Sequence, residues 1–528
     1  DSCDGNAYVG GEPSNSGDIS VSDSSITGLI SLIGGGSNDG RGGNTGTTTI
    51  TNSSVNSIIS SGGLVNNYNL AGSSGNIILN NSNVTEFITS TGGAGGSLDG
   101  GNSGSITLLN NSSAGSITST GGQGGFSAEN GGGTAGNIVL NDSNVVGQIK
   151  SEGGSTYYMN GGNSGTISLL NGSTAGSILS IGGTSDDASG GNSGNITLSS
   201  STVSGNIETG GAWAFGCSVL GSSGSILATS SVIGSINSYG ASNSACSGGS
   251  AGSISLVSTT VNGNVNLTGG SSDNAGGNTS DVSLLSSQIT GLLIVKAGDA
   301  TNYGLGGSCG QIYAASSTLG GVSSIGGIGE QGFGGGGSSL MSFSNTTITG
   351  ELISKAGHDG LSSSGIVGDI SVINSSIINS LHISYTNISD SLNLAGNILI
   401  SSSTVLSDIT YLGSDTYYSP ASDSGSITVL NSVLYGSIIS RGGNQANGSD
   451  AGGSAGDVVL TNVTLLASNP SIEATGGRSD YAAAGNGGDV TFSPCPTNIP
   501  SVNVSGGQTV EGTPGSAGVI SPADCHNP

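Results

Sequence analysis

Short runs of alternating apolar and polar residues recur along the whole chain at a nearly constant interval. Each run reads Gly-x-Ile-x-Leu, and a polar residue, a second apolar run and a Gly-Gly pair follow it. The interval varies from 28 to 32 residues and is mostly 29. A period of this length is typical of solenoid proteins, in which each repeat buries its apolar face against its neighbours.

We anchor each repeat, here called a coil, on the small residue that precedes its first apolar position. The anchor residues are Gly17, Gly46, Gly75, Gly104, Gly136, Gly165, Gly194, Gly224, Gly252, Ser280, Gly310, Ser339, Gly368, Gly396, Gly425 and Gly456. Positions two and four residues after an anchor are mostly aliphatic, as at Ile77 and Leu79. A spacing of two directs both side chains to the same face of a strand.

A second aliphatic column stands thirteen residues after the anchors. Its members are Ile30, Ile59, Ile88, Ile117, Ile149, Ile178, Ile207, Val265, Leu293, Leu352, Leu381, Ile409 and Ile438. β-Branched residues, Ser, Thr, Asn and Gly dominate the coils, and all of them are poor helix formers. The pattern therefore predicts an all-β fold in which strands of successive coils stack in parallel, about 4.8 Å apart.

The position six residues after each anchor is polar, and it lies where the chain must turn between two strands. Its members are Asp23, Asn52, Asn81, Asn110, Asp142, Asn171, Ser200, Ser230, Ser258, Ser286, Ser316, Asn345, Asn374, Ser402, Asn431 and Asn462. Asn tolerates a left-handed backbone, and stacked amides can hydrogen-bond along the solenoid axis. We interpret the column as a turn ladder; the alternative is a row of metal or sugar contacts.

The aliphatic columns and the asparagine ladder resemble those of right-handed parallel β-helices. The glycine-, serine- and asparagine-rich style is most similar to bacterial surface adhesins and autotransporter passengers. The resemblance covers roughly residues 15–490. It implies a right-handed β-solenoid of about 16 coils with about 29 residues per coil. At the spacing of parallel strands, these coils predict a rod roughly 75–80 Å long.

Three segments follow from the extent of the repeat. Residues 1–16 form an N-terminal lead-in or cap, and residues 17–492 form the solenoid. Residues 493–528 contain six of the nine prolines and two cysteines, which predicts a C-terminal cap or an inter-subunit segment.

The charge of the chain is strongly acidic, with 32 acidic residues, six basic residues and a net charge of −26. Such a surface repels phosphate groups, so nucleic acid is excluded as a partner and anionic membranes are disfavoured. No apolar stretch is long enough to span a bilayer. The chain begins Asp1-Ser2-Cys3 without a Met, which we interpret as a mature exported chain whose leader has been removed.

The six cysteines predict disulfides in an exported chain. Cys217 and Cys246 lie one coil apart, so stacking brings them within disulfide reach. Cys495 and Cys525 are 30 residues apart and flank the Pro-rich segment, where a bridge would fix a cap. Cys3 and Cys309 remain, either paired within the chain, linked between subunits or free. The alternative for all six is a set of buried free thiols.

Variable loops follow the Gly-Gly pairs and predict one continuous stripe on the solenoid, which is a common binding face of repeat proteins. Aromatic residues gather on it, and they suit sugar stacking or contact with a protein. The candidates for glycan or partner binding are Tyr157, Tyr158, Trp213, Phe215, Tyr417 and Tyr418. The alternative is that these rings fill space beneath a glycine-rich face.

The acidic residues form neither an EF-hand loop nor the tandem Gly-Gly-x-Gly-x-Asp calcium motif. Calcium is the ion that an acidic surface suits best, although no cofactor is required by any motif. The candidate calcium ligands are Asp39, Asp99, Asp186, Asp187 and Asp273. Asp18, Asp281, Asp369, Asp457 and Asp489 share the outward-facing position one residue after an anchor, but among these five only Asp457 and Asp489 lie one coil apart. The basic residues are too few and too scattered to accompany them. We therefore expect no enzymatic activity, and a polysaccharide-active β-helix enzyme is the third and least favoured function.

The ends of the solenoid carry the favoured prediction, because a terminal coil leaves backbone groups available for strand addition. We expect a structural subunit of an extracellular filament or surface fibre, which polymerises head to tail with itself. The predicted assembly residues are Cys3, Tyr8, Pro494, Ile499, Val502, Val504 and Cys525. The alternative is a monomeric surface adhesin that binds glycan or another surface protein through its loop stripe.

Overall fold

A computed structural model describes residues 13–126, 131–215, 219–244, 247–330, 333–358, 365–377, 379–385, 395–417, 420–447, 449–522 and 525. These residues form a parallel β-solenoid of about 16 coils with about 29 residues per coil, and they contain no helix. Accordingly, no helix in this part of the chain could cross a membrane. The chain divides into two compact units, Asp1–Gly263 and Asn264–Pro528. The all-β parallel solenoid predicted from the sequence is confirmed.

The unit Asp1–Gly263 contains two ladders of parallel strands. The first ladder consists of Ile19–Ser22, Thr48–Thr51, Ile77–Asn80, Ile106–Leu109, Ile138–Asn141, Ile167–Leu170, Ile196–Ser199, Ile226–Thr229 and Ile254–Val257. The second consists of Ser25–Ile33, Ser54–Ser61, Asn83–Thr91, Ser113–Thr120, Asn144–Glu152, Thr174–Ile181, Thr202–Gly210, Val232–Tyr239 and Thr260–Val261. A register shift interrupts the longer strands of the second ladder, for example between Val145 and Gln148.

The unit Asn264–Pro528 repeats the two ladders. Its first ladder consists of Val282–Leu285, Ile312–Ala315, Met341–Ser344, Ile370–Ile373, Ile398–Ser401, Ile427–Leu430, Val458–Thr461, Val490–Ser493 and Ile520–Ser521. Its second consists of Val265–Thr268, Gln288–Lys296, Thr318–Ile325, Thr347–Ile348, Leu352–Ala356, Ser376–Ile377, Leu381–Tyr385, Thr404–Val405, Ile409–Leu412, Val433–Leu434, Ile438–Arg441, Thr464–Leu465, Ser471–Thr475 and Ser501–Asn503. Most coils of this unit divide the second strand into two short pieces.

Identical side chains stack in register inside the coils. Ile77 pairs with Ile106 and Leu79 pairs with Leu108, and all four side chains are fully buried. Burial of one aliphatic side chain of this size contributes about 1.5–3 kcal/mol relative to leaving it exposed. The aliphatic columns are therefore the main source of stability in both units.

One residue of the predicted second column was assigned wrongly. Ile30 and Ile88 pair with Ile58, which is buried, whereas Ile59 faces outward and is only partly covered. The coil that begins at Gly46 has one residue fewer before this position than its neighbours. Two adjacent isoleucines hid that deletion from the sequence pattern, because either could fill the column.

Glycine pairs lie at the beginning and at the end of each variable loop, where the outgoing and the returning chain pass close to each other. We call this region the glycine neck. Gly43 N donates to Gly35 O at 2.9 Å, and Gly63 N of the next coil donates to Gly43 O at 2.8 Å. Outgoing and returning glycines thus alternate along one line of hydrogen bonds. A Cβ on Gly63 would lie 2.1 Å from Gly35 O, so close backbone approach, and not positive φ, requires glycine here.

Buried hydroxyls line the interior beside this neck. Ser103 and Ser119 lie 2.7 Å apart, and the same pairing recurs between Ser164 and Ser180 at 2.7 Å. The Ser103 hydroxyl also accepts a hydrogen bond from Gly136 N at 2.8 Å. Each pair therefore satisfies its own polar groups inside an otherwise apolar interior, as burial demands.

Both ladders continue beyond residue 493. Ser501–Asn503 pairs with Ser471–Thr475, and Ile520–Ser521 pairs with Val490–Ser493, all within the same chain. The described residues of 493–522 thus add one strand to each ladder.

Candidate functional surfaces

The turn ladder has the backbone geometry that the sequence predicted. All sixteen residues of the column have φ between 48° and 54°. Side-chain amides also link successive coils, as Asn81 Nδ2 donates to Asn52 Oδ1 at 3.0 Å and Asn462 Nδ2 donates to Asn431 Oδ1 at 3.0 Å. Asn and Asp tolerate this left-handed conformation better than other non-glycine residues, which explains their frequency in the column.

A second ladder follows the first and was not identified from the sequence. The Ser82 hydroxyl accepts a hydrogen bond from Ser53 N at 3.1 Å and donates to Asn80 O at 2.8 Å. Similar contacts join Thr346 N to Ser375 Oγ and Ser375 N to Ser403 Oγ. The signal was a Ser or Thr one or two places after the turn residue, which the high serine content obscured.

The carboxylates considered for catalysis make structural contacts. Asp457 Oδ1 accepts a hydrogen bond from Asp489 N at 2.9 Å, and Asp489 Oδ1 accepts one from Val519 N at 2.7 Å. Asp18 and Asn76 make the same contact with the coil that follows them. These side chains extend the backbone ladder by one hydrogen bond at each coil.

Candidate calcium ligands lie in separate outer loops. Asp39 accepts a hydrogen bond from Asn67 at 2.7 Å, and Asp273 accepts one from Thr301. One carboxylate oxygen of Asp99 is buried without a hydrogen-bond partner, and burial raises the pKa of this carboxyl. Within the described ranges, no group of three or more His, Cys, Asp or Glu residues could hold a metal ion.

A disulfide joins Cys495 to Cys525, with 5.2 Å between the Cα atoms, in agreement with the pairing predicted from the sequence. Cys309 is a free thiol in the interior hydroxyl column, and its Sγ donates to Ile325 O at 3.1 Å. Burial raises the pKa of the Cys309 thiol. Cys3, Cys217 and Cys246 lie outside the described residues.

The first described coil is only partly covered. Ile19 and Val21 point inward but stay partly exposed, although Val21 pairs with the fully buried Ile50. The strand Ile19–Ser22 has a described partner on one edge, Thr48–Thr51. Tyr8 and Cys3, which were predicted to act in assembly, lie outside the described residues.

The last described strand of each ladder has the same character. Val502 is partly exposed and pairs with the buried Ile472, while Ile520 is partly exposed and pairs with the buried Val490. The other predicted assembly residues of this segment differ in burial: Pro494 and Ile499 are exposed, Val504 is half-buried and Cys525 is buried. Among the described strands, Ser501–Asn503 has a partner on one edge only.

Aromatic residues of the outer loops form two contact groups. Phe126 stacks on Tyr157 with ring centroids 4.4 Å apart, and Tyr158 lies 6.4 Å from Phe126. Trp213 and Phe215 meet edge to face at 4.4 Å. All five rings are exposed, and so is Tyr417. The sequence analysis did not include Phe126, although it precedes Tyr157 by one coil; Tyr418 lies outside the described residues.

Most described basic side chains are held in ion pairs. Lys150 contacts Glu152 at 2.6 Å, Lys296 contacts Asp299 at 3.2 Å, Arg441 contacts Glu473 at 2.8 Å and Arg478 contacts Asp480 at 2.8 Å. Screening limits each such surface pair to roughly 0–1 kcal/mol. The pairs leave the acidic excess of the surface in place.

Comparison with known proteins gives no relative from which a function could be transferred. No protein-family model matches the chain, and no curated protein or solved structure matches it either. Function is therefore inferred from the contacts of the chain itself.

Proposed function

We propose that this chain is a structural subunit of an extracellular filament or cell-surface fibre, assembled head to tail from copies of itself. The observation that supports the proposal is the incomplete burial of the aliphatic columns in both terminal coils. Val21 in the first described strand of the first ladder and Val502 in the last described strand of the second ladder are partly exposed, whereas the residues they stack on are buried. A second copy placed on either end would cover them.

Strand edges at the two ends favour the same assembly. An unpaired edge offers backbone N–H and C=O groups to another strand. The two ends differ in sequence, so a contact between them is heterologous, and a heterologous contact that does not close on itself produces a filament. Copies of one solenoid share the strand spacing of about 4.8 Å, which lets the ladders continue across the contact.

The disulfide and the charge are compatible with an extracellular fibre. Disulfides persist in oxidising compartments. The bridge between Cys495 and Cys525 joins two residues that are 30 positions apart in the C-terminal segment. The net charge of −26 makes copies repel one another at long range. Assembly is therefore expected to strengthen as salt screens this repulsion.

Paired substitutions at the two ends test the proposal. Val21→Asp and Val502→Asp each introduce a charge into one proposed contact, and Ser20→Asp and Asn503→Asp are the matched controls on the outward faces of the same strands. Analytical ultracentrifugation measures the size distribution. We expect each control to assemble as the parent does, and each interface variant alone to remain monomeric.

A mixture of the two interface variants gives the sharpest outcome. Val21→Asp keeps its C-terminal contact and Val502→Asp keeps its N-terminal contact, so a head-to-tail arrangement predicts dimers and no longer species in the mixture. Assembly that survives both substitutions, or dimers formed by one variant alone, would contradict head-to-tail contact. Circular dichroism of each variant shows whether the β-structure is retained.

A monomeric surface adhesin is the second candidate, and the exposed aromatic side chains of the outer loops favour it. Trp213, Phe215 and Tyr417 are each more than two-fifths exposed, and exposed rings of this kind stack on sugars. This function predicts monomers at every concentration and a saturable change in Trp213 fluorescence on titration with oligosaccharides. An unchanged spectrum across a broad oligosaccharide panel would argue against it.

A further inference from the structure

Three consecutive outer loops of the unit Asp1–Gly263 are joined in register. Thr156 bridges to Ser185, and Ser185 bridges to Ala214, all in parallel. Two further backbone hydrogen bonds hold the loops, from Asp187 N to Tyr157 O at 3.0 Å and from Phe215 N to Ser185 O at 3.1 Å. The loops therefore stack with the spacing of parallel strands, although each is irregular in itself.

The register places a carboxylate between two aromatic rings, one on each side. Tyr157, Asp186 and Phe215 each follow one of the three bridged residues. The bridged residues are buried, whereas Asp186 is partly exposed and Tyr157 and Phe215 are exposed. These three residues thus form one outward column, which we call the aromatic cleft. Tyr157 and Phe215 are two coils apart, which corresponds to about 9–10 Å at the strand spacing.

Neighbouring rings support both walls of the cleft. Phe126 stacks on Tyr157 with an angle of 18° between the ring planes, and Trp213 contacts Phe215 at 87°. Each wall is therefore a pair of rings and not a single mobile side chain. Tyr157 and Phe215 nevertheless remain 38% and 63% exposed, so the cleft is open to solvent.

The chemistry of the aromatic cleft suits an organic cation. A cation midway between the walls would lie about 5 Å from each ring, within the range of roughly 6 Å over which ring faces attract positive charge. Asp186 and the adjacent Asp187 take part in no ion pair among the described residues. Both carboxylates are thus available to an incoming ammonium group.

We propose that the aromatic cleft binds lysine side chains of a partner polypeptide. Charge complementarity identifies the partner, because the acidic surface attracts a basic segment at long range and the cleft holds one ammonium group at contact. The flexible four-carbon stem of lysine can carry its charge between the two walls. The chain has only six basic residues of its own, and four of them are held in ion pairs, so a second copy is a poor partner for this cleft. The binding does not depend on filament formation.

Trp213 reports binding directly, because it is the single tryptophan of the chain and contacts one wall of the cleft. The probe is an oligolysine peptide, titrated at low salt into protein whose monomeric or assembled state is known from sedimentation. The same peptide with every lysine acetylated is the neutral control, and a cello-oligosaccharide represents a neutral glycan. We expect a saturable change in Trp213 emission with oligolysine alone.

Three substitutions localise the response. Asp186→Asn and Tyr157→Ala are expected to weaken oligolysine binding about three- to thirtyfold each, from the range of cation–π and charge contributions. Asp142→Asn removes the same charge from the turn ladder, where asparagine is native in other coils, and is expected to leave binding within about twofold, as screened surface charges imply.

Equal loss in Asp186→Asn and Asp142→Asn would overturn the proposal, since attraction would then be general and not local. An equal response to acetylated oligolysine or to the oligosaccharide would also overturn it, by showing that the cleft recognises a neutral ligand. Failure of oligolysine to change Trp213 emission or to bind by sedimentation would do the same. None of these outcomes bears on contact between the terminal coils.

Discussion

Ser338 and Ser354 share a buried hydrogen bond of 2.8 Å, and one coil later the same two positions are held by Val367 and Ile383, which are both fully buried. Two hydroxyl groups therefore occupy these positions in one coil, and two aliphatic side chains occupy them in the next. Loss of one buried partner costs the desolvation of the other, whereas apolar replacement of both can be nearly neutral. The interior of this solenoid therefore accepts either chemistry, provided that both positions change together.

A double-mutant cycle tests this complementarity. Ser338→Ala and Ser354→Ala are each expected to destabilise their coil by about 1–3 kcal/mol. Ser338→Ala removes the partner of the Ser354 hydroxyl and of Gly368 N, and Ser354→Ala removes one of the two partners of the Ser338 hydroxyl. The double variant is expected to lose less than the sum, with a coupling of about 1 kcal/mol. Hydrogen exchange of amides in this coil measures the local free energy of opening. Additive losses would show that the two hydroxyls act independently.

The glycine neck gives a second prediction. Gly133 N donates to Gly122 O at 2.9 Å, and a Cβ on Gly133 would lie 1.9 Å from Gly101 O. Gly133→Ala is therefore expected to destabilise the surrounding coils by about 1–3 kcal/mol through overpacking. Gly28→Ala is the matched control, since nothing lies within 4 Å of its Cβ position.

The control should stabilise the fold slightly, by about 0.4–1 kcal/mol, because alanine restricts the unfolded chain. Thermal unfolding followed by circular dichroism ranks the two variants against the parent. Equal thermal unfolding midpoints for Gly133→Ala and Gly28→Ala would contradict the steric explanation for the regular recurrence of glycines in the repeat.

Tyr239 and Glu208 give a prediction at alkaline pH. The Tyr239 hydroxyl donates to Glu208 Oε1 at 3.1 Å, and burial together with the negative charge of Glu208 raises the pKa of Tyr239 to about 12. An unfolded tyrosine titrates near pH 10. Between about pH 10 and pH 12 the unfolded chain loses this proton first, so the contribution of Tyr239 to stability is lost as the pH rises through that window.

Ultraviolet absorbance of tyrosinate measures the titration, with Tyr239→Phe as the blank for the other tyrosines. Glu208→Gln should lower the pKa of Tyr239 while leaving it above the unfolded value, because burial is the larger cause. A pKa that does not respond to Glu208→Gln would show that the carboxylate has no influence on Tyr239.

Cys309 gives a prediction about thiol reactivity. Its thiol occupies the interior column where Ser338 stands one coil later, and burial raises its pKa. Because the thiolate is the reactive form, the native thiol should react with a disulfide reagent only when its coil opens. Mass spectrometry of the labelled peptide, compared before and after denaturation, measures the protection.

Cys309→Ser should change stability by less than about 1 kcal/mol, since serine is native at this position in other coils and can form the same hydrogen bond. Cys309→Asp is the contrasting variant and should unfold the coil, because it buries a charge without a partner. Labelling of native Cys309 as fast as that of the denatured chain would contradict the protection of its thiol.

The fold was predictable because the repeat is strict where the interior is packed. A period of 29 residues and a spacing of two within each strand predict parallel stacking of successive coils, and residues such as Ile77 and Ile106 stack as expected. The positive φ of Asn52 and its column mates followed from the same reasoning, because few residue types tolerate that backbone. In such a sequence, side-chain packing and backbone sterics restrict the residue type at each position of the repeat.

The remaining features depend on partners that no local pattern identifies. Ser82 and Ser103 have distinct buried roles, yet serine is also common on the surface, so composition hid both ladders. Phe126 acquires significance only through stacking on Tyr157 from the next loop, and the variable loop lengths obscure that register. The aromatic cleft likewise required the bridges between Thr156, Ser185 and Ala214, which join irregular segments.

Negative-stain electron microscopy of the native, unreduced protein tests the central claim most directly. Head-to-tail assembly predicts long fibres with a regular axial repeat of one subunit. The fibres should disappear in Val21→Asp and in Val502→Asp and persist in Ser20→Asp and Asn503→Asp. Discrete, unassembled particles of the parent protein at every concentration and salt level would contradict the filament and direct attention to the outer loops as the functional face.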